Sequence, residues 1–119
     1  MNTTAVIFAI IVRVIDGDTF MVNLPCDIDV ICKHIPVRLA HIDTPEIKGK
    51  CDSEKQLAQQ AKTIAEGMLK TGETLVIANA KRDNYFRLLV EVPKLEWALL
   101  EAGVARRYEG KKKVGWCGK

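Results

Sequence analysis

Apolar residues along this chain recur at two different spacings, which predict strands in some stretches and helices in others. In residues 19–24 the alternation has period two, with Phe20, Val22 and Leu24 on one face. This strand follows a turn signal at 16–18, where Gly17 is expected to supply a positive φ. The predicted strands lie at 5–15, 19–24, about 37–42, 73–80 and 86–92.

A helical period appears in the middle of the chain. Apolar positions recur at intervals of three and four residues over 57–69, which makes one continuous stripe. Ser53 and Gln56 have the spacing of a capping box, and Gly72 follows the stripe. The pattern predicts a helix that begins at Ser53 and ends before Gly72.

The order of the predicted elements indicates a small barrel. A second helix is expected at about 94–102, between Pro93 and Gly103. Three strands, a helix, two strands and a helix suit a five-stranded barrel of the OB type, with two or three helices. The predicted fold class is therefore α+β, mainly β, in one domain of 119 residues.

The stretch 36–46 combines charged residues with an apolar strand. Arg38 lies within the predicted strand and so on a stiff element. Pro45 cannot donate a ladder hydrogen bond, so the strand should end in a turn that displays Asp43 and Glu46. A fixed guanidinium near two carboxylates indicates an anionic substrate, a metal ion, or both.

Charge is distributed unevenly along the chain. The net charge is +3, but six basic residues against one acidic residue give the segment 104–119 a charge of +5, which leaves −2 for 1–103. A basic tail on a slightly acidic body could contact a polyanion, and the alternative is a solvated charge run.

Four cysteines permit three complete pairings in an oxidising compartment. Because Cys51 follows the acidic turn and Cys117 lies in the tail, a disulfide between them would hold the tail against the barrel. The alternatives are four reduced thiols, or a zinc site of Cys26, Cys32 and His34, although their spacing does not match short zinc-binding pairs.

The most apolar run, residues 5–12, is too short to span a bilayer and has no basic region before it. We interpret it as a buried strand, so we expect no export signal in this chain and no membrane partner. The protein is then cytoplasmic, or periplasmic or secreted if a signal peptide has been removed.

Six residues together meet the requirements of phosphodiester hydrolysis. Two carboxylates and a carbonyl can hold a hard divalent cation, and two arginines can bind the same phosphate. A further carboxylate can orient or deprotonate water. The six are Asp18, Arg38, Asp43, Thr44, Glu46 and Arg87.

These residues stand in segments that resemble the signature segments of the staphylococcal nuclease (thermonuclease) family. The segments are Ile-Asp-Gly-Asp-Thr at 15–19, Val-Arg-Leu-Ala-His-Ile-Asp-Thr-Pro-Glu at 37–46 and Asp-Asn-Tyr-Phe-Arg at 83–87, and Ala-Leu-Leu-Glu-Ala-Gly-Val-Ala at 98–105 resembles a fourth. The resemblance implies an OB-fold domain over 1–108 and a basic tail at 109–119. Within the family the chain is similar to a small bacterial or mobile-element type.

The resemblance also implies an activity, that of a calcium-dependent hydrolase. Such an endonuclease cleaves phosphodiester bonds of DNA and RNA and leaves 3′-phosphate ends. By matching position, Asp18 and Asp43 would bind calcium together with the Thr44 carbonyl. The expected partners are DNA and RNA, preferably single-stranded or locally unpaired, bound by a monomer.

The remaining roles also follow from matching position. Arg38 and Arg87 would bind the phosphate and its transition state, and Glu46 would act as general base or orient water. Tyr85 would lie near the bound nucleotide. The alternative for Arg87 is a surface cation that pairs with Glu91.

The chain departs from the family pattern at two positions beside these residues. Phe86 replaces a glycine before the second arginine, and Asn84 replaces a lysine before the tyrosine. The long C-terminal helix of the best-known members is also absent. A non-catalytic nucleic-acid-binding module on the same fold is therefore the second hypothesis, although retention of all six positions favours an enzyme.

Overall fold

Five strands close into a barrel in the computed structural model, which describes residues 5–83, 87–110 and 113–117. The strands are β1 (Val6–Asp16), β2 (Thr19–Asn23), β3 (Ile35–Leu39), β4 (Ile42–Asp43), β5 (Thr74–Arg82), β6 (Leu88–Glu91) and β7 (Arg106–Arg107), and the helices are α1 (Asp29–Cys32), α2 (Asp52–Met68) and α3 (Pro93–Glu101). The barrel order is β1-β2-β3-β6-β5, and β5 pairs with β1 to close it. The predicted five-stranded, mainly β barrel of the OB type is confirmed.

The barrel interior is built from the apolar face of each strand. Phe20 and Val22 of β2 are fully buried, as the alternation predicts. Strand β1 shifts register between Ile11 and Arg13 and again between Val14 and Asp16. Such bulges increase local twist, which lets a strand of 11 residues follow the curved wall.

Helix α2 covers one side of the barrel with its small apolar residues. Ala58, Ala61 and Ala65 are buried, which confirms the predicted stripe except at Met68, whose side chain is exposed. The predicted capping box is wrong, because the helix begins one residue earlier with Cys51 as N-cap and without a side-chain capping hydrogen bond. Ser53 already lies in the first turn, where its hydroxyl is 3.3 Å from the Cys51 sulfur.

Two short elements were not predicted. Residues 25–35, between the predicted strands at 19–24 and about 37–42, contain α1. Strand β7 pairs with β4 in a separate two-stranded sheet, so the predicted third strand is divided after Leu39. The division places Asp43 opposite Arg106, outside the barrel ladder.

Disulfides join Cys26 to Cys32 and Cys51 to Cys117. The Cys26–Cys32 disulfide uses the two cysteine sulfurs that the alternative zinc site would need, and its third candidate ligand, His34, is exposed. Among the described residues, no helix is both long enough and apolar enough to cross a bilayer.

Loss of the Cys51–Cys117 disulfide is expected to destabilise the protein more than loss of Cys26–Cys32. The sequence separations are 66 and 6 residues, and in the chain-entropy model these loops contribute roughly 4 and roughly 2 kcal/mol. Urea unfolding of the two paired Cys→Ser variants would measure both values, after peptide mapping without reductant has established the linkages. Equal free energies of unfolding would contradict the prediction.

Candidate active site

Strand pairing brings three separate segments of the chain to one end of the barrel. Thr19 pairs with Arg38 across β2 and β3, and the Leu39 N–H donates to the Asp18 carbonyl oxygen at 2.9 Å. Asp43 follows in β4, four residues after Leu39. The barrel ladder therefore sets Asp18 beside Arg38, and the chain after β3 brings Asp43 to the same guanidinium.

The Arg38 guanidinium lies between two carboxylates. Its Nη2 atom is 3.2 Å from Asp18 Oδ2 and 3.1 Å from Asp43 Oδ1, and these three side chains are 7 to 10% exposed. Its Nη1 atom donates to the Leu39 carbonyl oxygen at 3.3 Å, and the guanidinium lies 5.5 Å from the centre of the Tyr108 ring. This is a buried charge cluster held in one orientation.

Gly17 allows the turn before Asp18 to pack closely against its neighbours. A Cβ atom at this position would lie 2.6 Å from the Ala61 Cβ in α2 and 3.1 Å from the Thr44 Cγ2. Its φ does not lie in the left-handed region, so the prediction of a positive φ is wrong. Glycine is needed here for space, and the close packing fixes Asp18 near Thr44.

Asp16 adds a third carboxylate beside this cluster. Its Oδ1 atom accepts the Asp18 N–H at 3.3 Å. Burial, followed by the charge of Asp18, raises the pKa of Asp16 to about 7. The Asp-Gly-Asp pattern at 16–18 predicted Asp16 only as a turn residue, and its contact with Asp18 was not predicted.

Oxygen donors around Asp18 suit a hard cation. Asp18 Oδ2 accepts the Thr44 N–H at 3.2 Å and Oδ1 accepts the Thr19 hydroxyl at 3.0 Å. The buried Thr44 Oγ1 has no hydrogen-bond partner among the described residues. Within the described part of the chain, the ligand atoms of three His, Cys, Asp or Glu side chains lie within 4.8 Å of one another only at Cys51, Glu54 and Cys117. Asp18 and Asp43 would therefore need backbone or water ligands to complete a calcium site.

Glu46 lies on the exposed loop that leads from β4 to α2. Its backbone N–H donates to Glu54 Oε2 at 3.2 Å, and the Lys50 N–H donates to Oε1 of the same side chain at 2.9 Å. Glu54 is 7% exposed. The buried Glu54 side chain in α2 therefore holds the loop that carries Glu46. Its place in the helical pattern of the sequence did not indicate this role.

Arg87 directly precedes β6, which runs parallel to β3 with Leu88 opposite Val37. Its Nε atom donates to Asp83 Oδ2 at 2.8 Å and its N–H to Asp83 Oδ1 at 2.9 Å. The partner is thus Asp83, and Glu91 instead contacts His41 and Asn79. Tyr85, Asn84 and Phe86 lie outside the described residues.

The C-terminal segment 113–117 forms one wall of the site. A cavity of about 370 Å³ is lined by this segment and by Asp43, Thr44 and Glu46. Lys113 Nζ lies 3.2 Å from Asp43 Oδ1, and the Trp116 indole N–H donates to Asp43 Oδ2 at 3.4 Å. Residues 113–117 belong to the predicted basic tail, and the structure shows two of them in contact with Asp43.

Comparison with known families places this geometry in context. A family model described as staphylococcal nuclease homologue matches residues 36–115, about two thirds of the chain. The match includes Arg38, Asp43, Thr44, Glu46 and Arg87, and it confirms the resemblance found in the sequence. A comparison with curated proteins gave no match. The family indicates a nuclease-type or nucleic-acid-binding function, and the chain belongs to the staphylococcal nuclease family.

Proposed function

We propose that this protein is a calcium-dependent nuclease that hydrolyses phosphodiester bonds of DNA and RNA and leaves 3′-phosphate ends. The observation that carries the proposal is the buried cluster in which Asp18 and Asp43 contact the same nitrogen of Arg38. Ordinary packing does not require two buried carboxylates and a guanidinium, and desolvation makes them costly. Their arrangement at the edge of an open cavity favours a chemical role.

The donor set fits calcium, a hard cation that prefers oxygen ligands. Asp18 and Asp43 would hold it together with the Thr44 carbonyl and water, and the unpartnered Thr44 Oγ1 lies in the same polar region. The pKa of Asp16 is raised mainly by burial and then by the negative charge of Asp18, and a divalent cation would offset the second of these causes. Bound calcium would polarise the phosphate and neutralise its developing charge.

The residues of the chain would divide the remaining work. Arg38 and Arg87 would bind the phosphate oxygens, since guanidinium groups offer paired donors at a fixed charge. Glu46, on the exposed loop, would accept a proton from the attacking water or orient it. The water oxygen then bonds to phosphorus as the bond to the 5′ oxygen breaks, which leaves the phosphate on the 3′ side.

The proposed substrate range follows from the same roles. All of them concern the phosphate group, which DNA and RNA share, so we propose that both are cleaved. Asp43, Thr44 and Glu46 line a cavity of about 370 Å³, and a single-stranded or locally unpaired segment can enter a cavity more easily than a duplex can. One chain supplies every residue named here, so a monomer suffices.

A binding module on the same fold is the second candidate. Asp43 is already neutralised by Arg38 and Lys113, a closed charge cluster that a non-catalytic protein could also retain. Binding without hydrolysis in the presence of calcium would favour this candidate. Digestion of plasmid DNA with and without calcium therefore tests the proposal directly.

Calcium removal is expected to abolish the digestion. A site of carboxylates, a carbonyl and water should prefer calcium to softer ions, so a calcium chelator should stop cleavage and added calcium should restore it. Gel analysis of plasmid DNA measures the effect, with magnesium and zinc as comparison ions. Better restoration by zinc than by calcium would show that the assigned ligands are wrong.

A further inference from the structure

The segment 113–117 is fixed to the body of the protein at several points. Its Cys117 forms the disulfide with Cys51 at the start of α2. Arg106 of β7 lies over the Trp116 ring at 3.8 Å from its centre, and its Nη1 donates to the Val114 and Gly115 carbonyl oxygens at 3.2 and 2.8 Å. The segment thus forms a wall of the cavity, although residues 113–115 stay exposed to solvent.

This wall directs two donors at one carboxylate. Lys113 Nζ contacts Asp43 Oδ1 and the Trp116 indole N–H contacts Oδ2, so both oxygens of Asp43 face the segment. Arg38 also contacts Oδ1, at 3.1 Å. Asp43 therefore already has two positively charged partners in the protein, Arg38 and Lys113, at the carboxylate that would bind a metal ion.

We propose that Lys113 is a tethered cation that competes with calcium for Asp43 and so sets the calcium affinity of the site. The inference rests on the proposed function and deepens it. Asp18 and Asp43 together carry two negative charges, which Arg38 and Lys113 balance. A divalent ion held by Asp43 would repel the Lys113 ammonium that contacts the same carboxylate, so the two cations compete for Asp43.

Lys113 is the cation that can move. Its side chain is 46% exposed, whereas that of Arg38 is 7% exposed and lies between two carboxylates. The ammonium also lies 5.6 Å from the Tyr108 ring centre, which gives it a second contact close to the cavity. The Cys51–Cys117 disulfide keeps the ammonium at high effective concentration near Asp43, which makes the competition strong.

The first test is calcium binding by calorimetry, with no nucleic acid present. Lys113→Gln should lower the calcium Kd by roughly tenfold, as expected for loss of a charge in contact with a ligand. Lys48→Gln is the matched control, because Lys48 lines the same cavity and should give a clearly smaller change. The paired Cys51→Ser, Cys117→Ser variant should also bind calcium more tightly, since the tether is lost.

The second test follows the segment itself. The chain has two tryptophans, so Trp97→Phe leaves Trp116 as the only one. Its emission should change on addition of calcium, because Trp116 shares Asp43 with the displaced ammonium. Magnesium and sodium chloride serve as comparison salts.

The outcomes separate this inference from the proposed function. Equal Kd changes in Lys113→Gln and Lys48→Gln, with calcium still bound, would overturn the role of Lys113 and leave the nuclease proposal intact. Absence of calcium binding in wild type and every variant would overturn both. Tighter binding in Lys113→Gln and in the cysteine variant, but not in the control, would support the tethered cation.

Discussion

Arg38→Ala and Arg87→Ala are each expected to lower turnover on nucleic acid by roughly a hundredfold or more, on the order of 3 kcal/mol, and the first should destabilise the fold more than the second. Arg38 is buried between Asp18 and Asp43, and removal of one member of a buried charge cluster typically costs about 3–5 kcal/mol. Arg87 is half-buried and contacts Asp83 four residues away. Its loss deprives the Asp83 carboxylate, whose side chain is 10% exposed, of this partner, whereas loss of Arg38 affects two buried carboxylates, so the free energy of unfolding should fall less than in Arg38→Ala.

Three quantities would be measured on the same variants. They are the turnover, the affinity for uncleaved nucleic acid in the presence of a chelator, and the free energy of unfolding in urea. Arg38→Lys keeps the charge but lacks the second terminal nitrogen of the guanidinium, which donates to the Leu39 carbonyl oxygen and would supply a paired donor to the phosphate, so it should not restore turnover. Arg13→Ala, an exposed change in β1, is the control. If wild type binds single-stranded DNA with calcium but cleaves none, and the arginine variants change only affinity, the protein is a binding module.

Local patterns in the sequence were sufficient for the barrel strands and for the stripe of α2. Period-two alternation in β2 depends on neighbours within a few residues, and so does the helical stripe. The start of α2, by contrast, lies beside the disulfide between Cys51 and Cys117, and β7 exists through its pairing with β4. These features depend on contacts between distant residues, which periodicity does not encode.

The same distinction applies to the candidate site. Asp18, Arg38 and Asp43 lie at turns and strands with strong local signals, so they could be named from the sequence. Trp116 reaches Asp43 across 73 residues, and no local pattern in the tail indicates that contact. Glu54 occupies an ordinary helical position, and its burial depends on the loop N–H groups that it accepts.

Glu46→Gln is expected to lower turnover by about two to four orders of magnitude, the usual contribution of a positioned acid or base. Glutamine keeps the shape of the side chain but cannot accept the proton of the attacking water. Calcium binding and affinity for uncleaved nucleic acid should stay close to wild type, because neither was assigned to this carboxylate. Calorimetry and single-turnover kinetics on the same preparation would separate binding from chemistry.

Glu54→Gln distinguishes the group that reacts from the group that holds it. The Glu54 carboxylate accepts N–H groups from Glu46 and Lys50 through its two oxygens, and an amide retains one acceptor oxygen, so one loop N–H loses its partner. Turnover should fall by less than in Glu46→Gln, and the pH–rate profile should keep its shape because the base remains. Full turnover in Glu46→Gln would remove Glu46 from the mechanism.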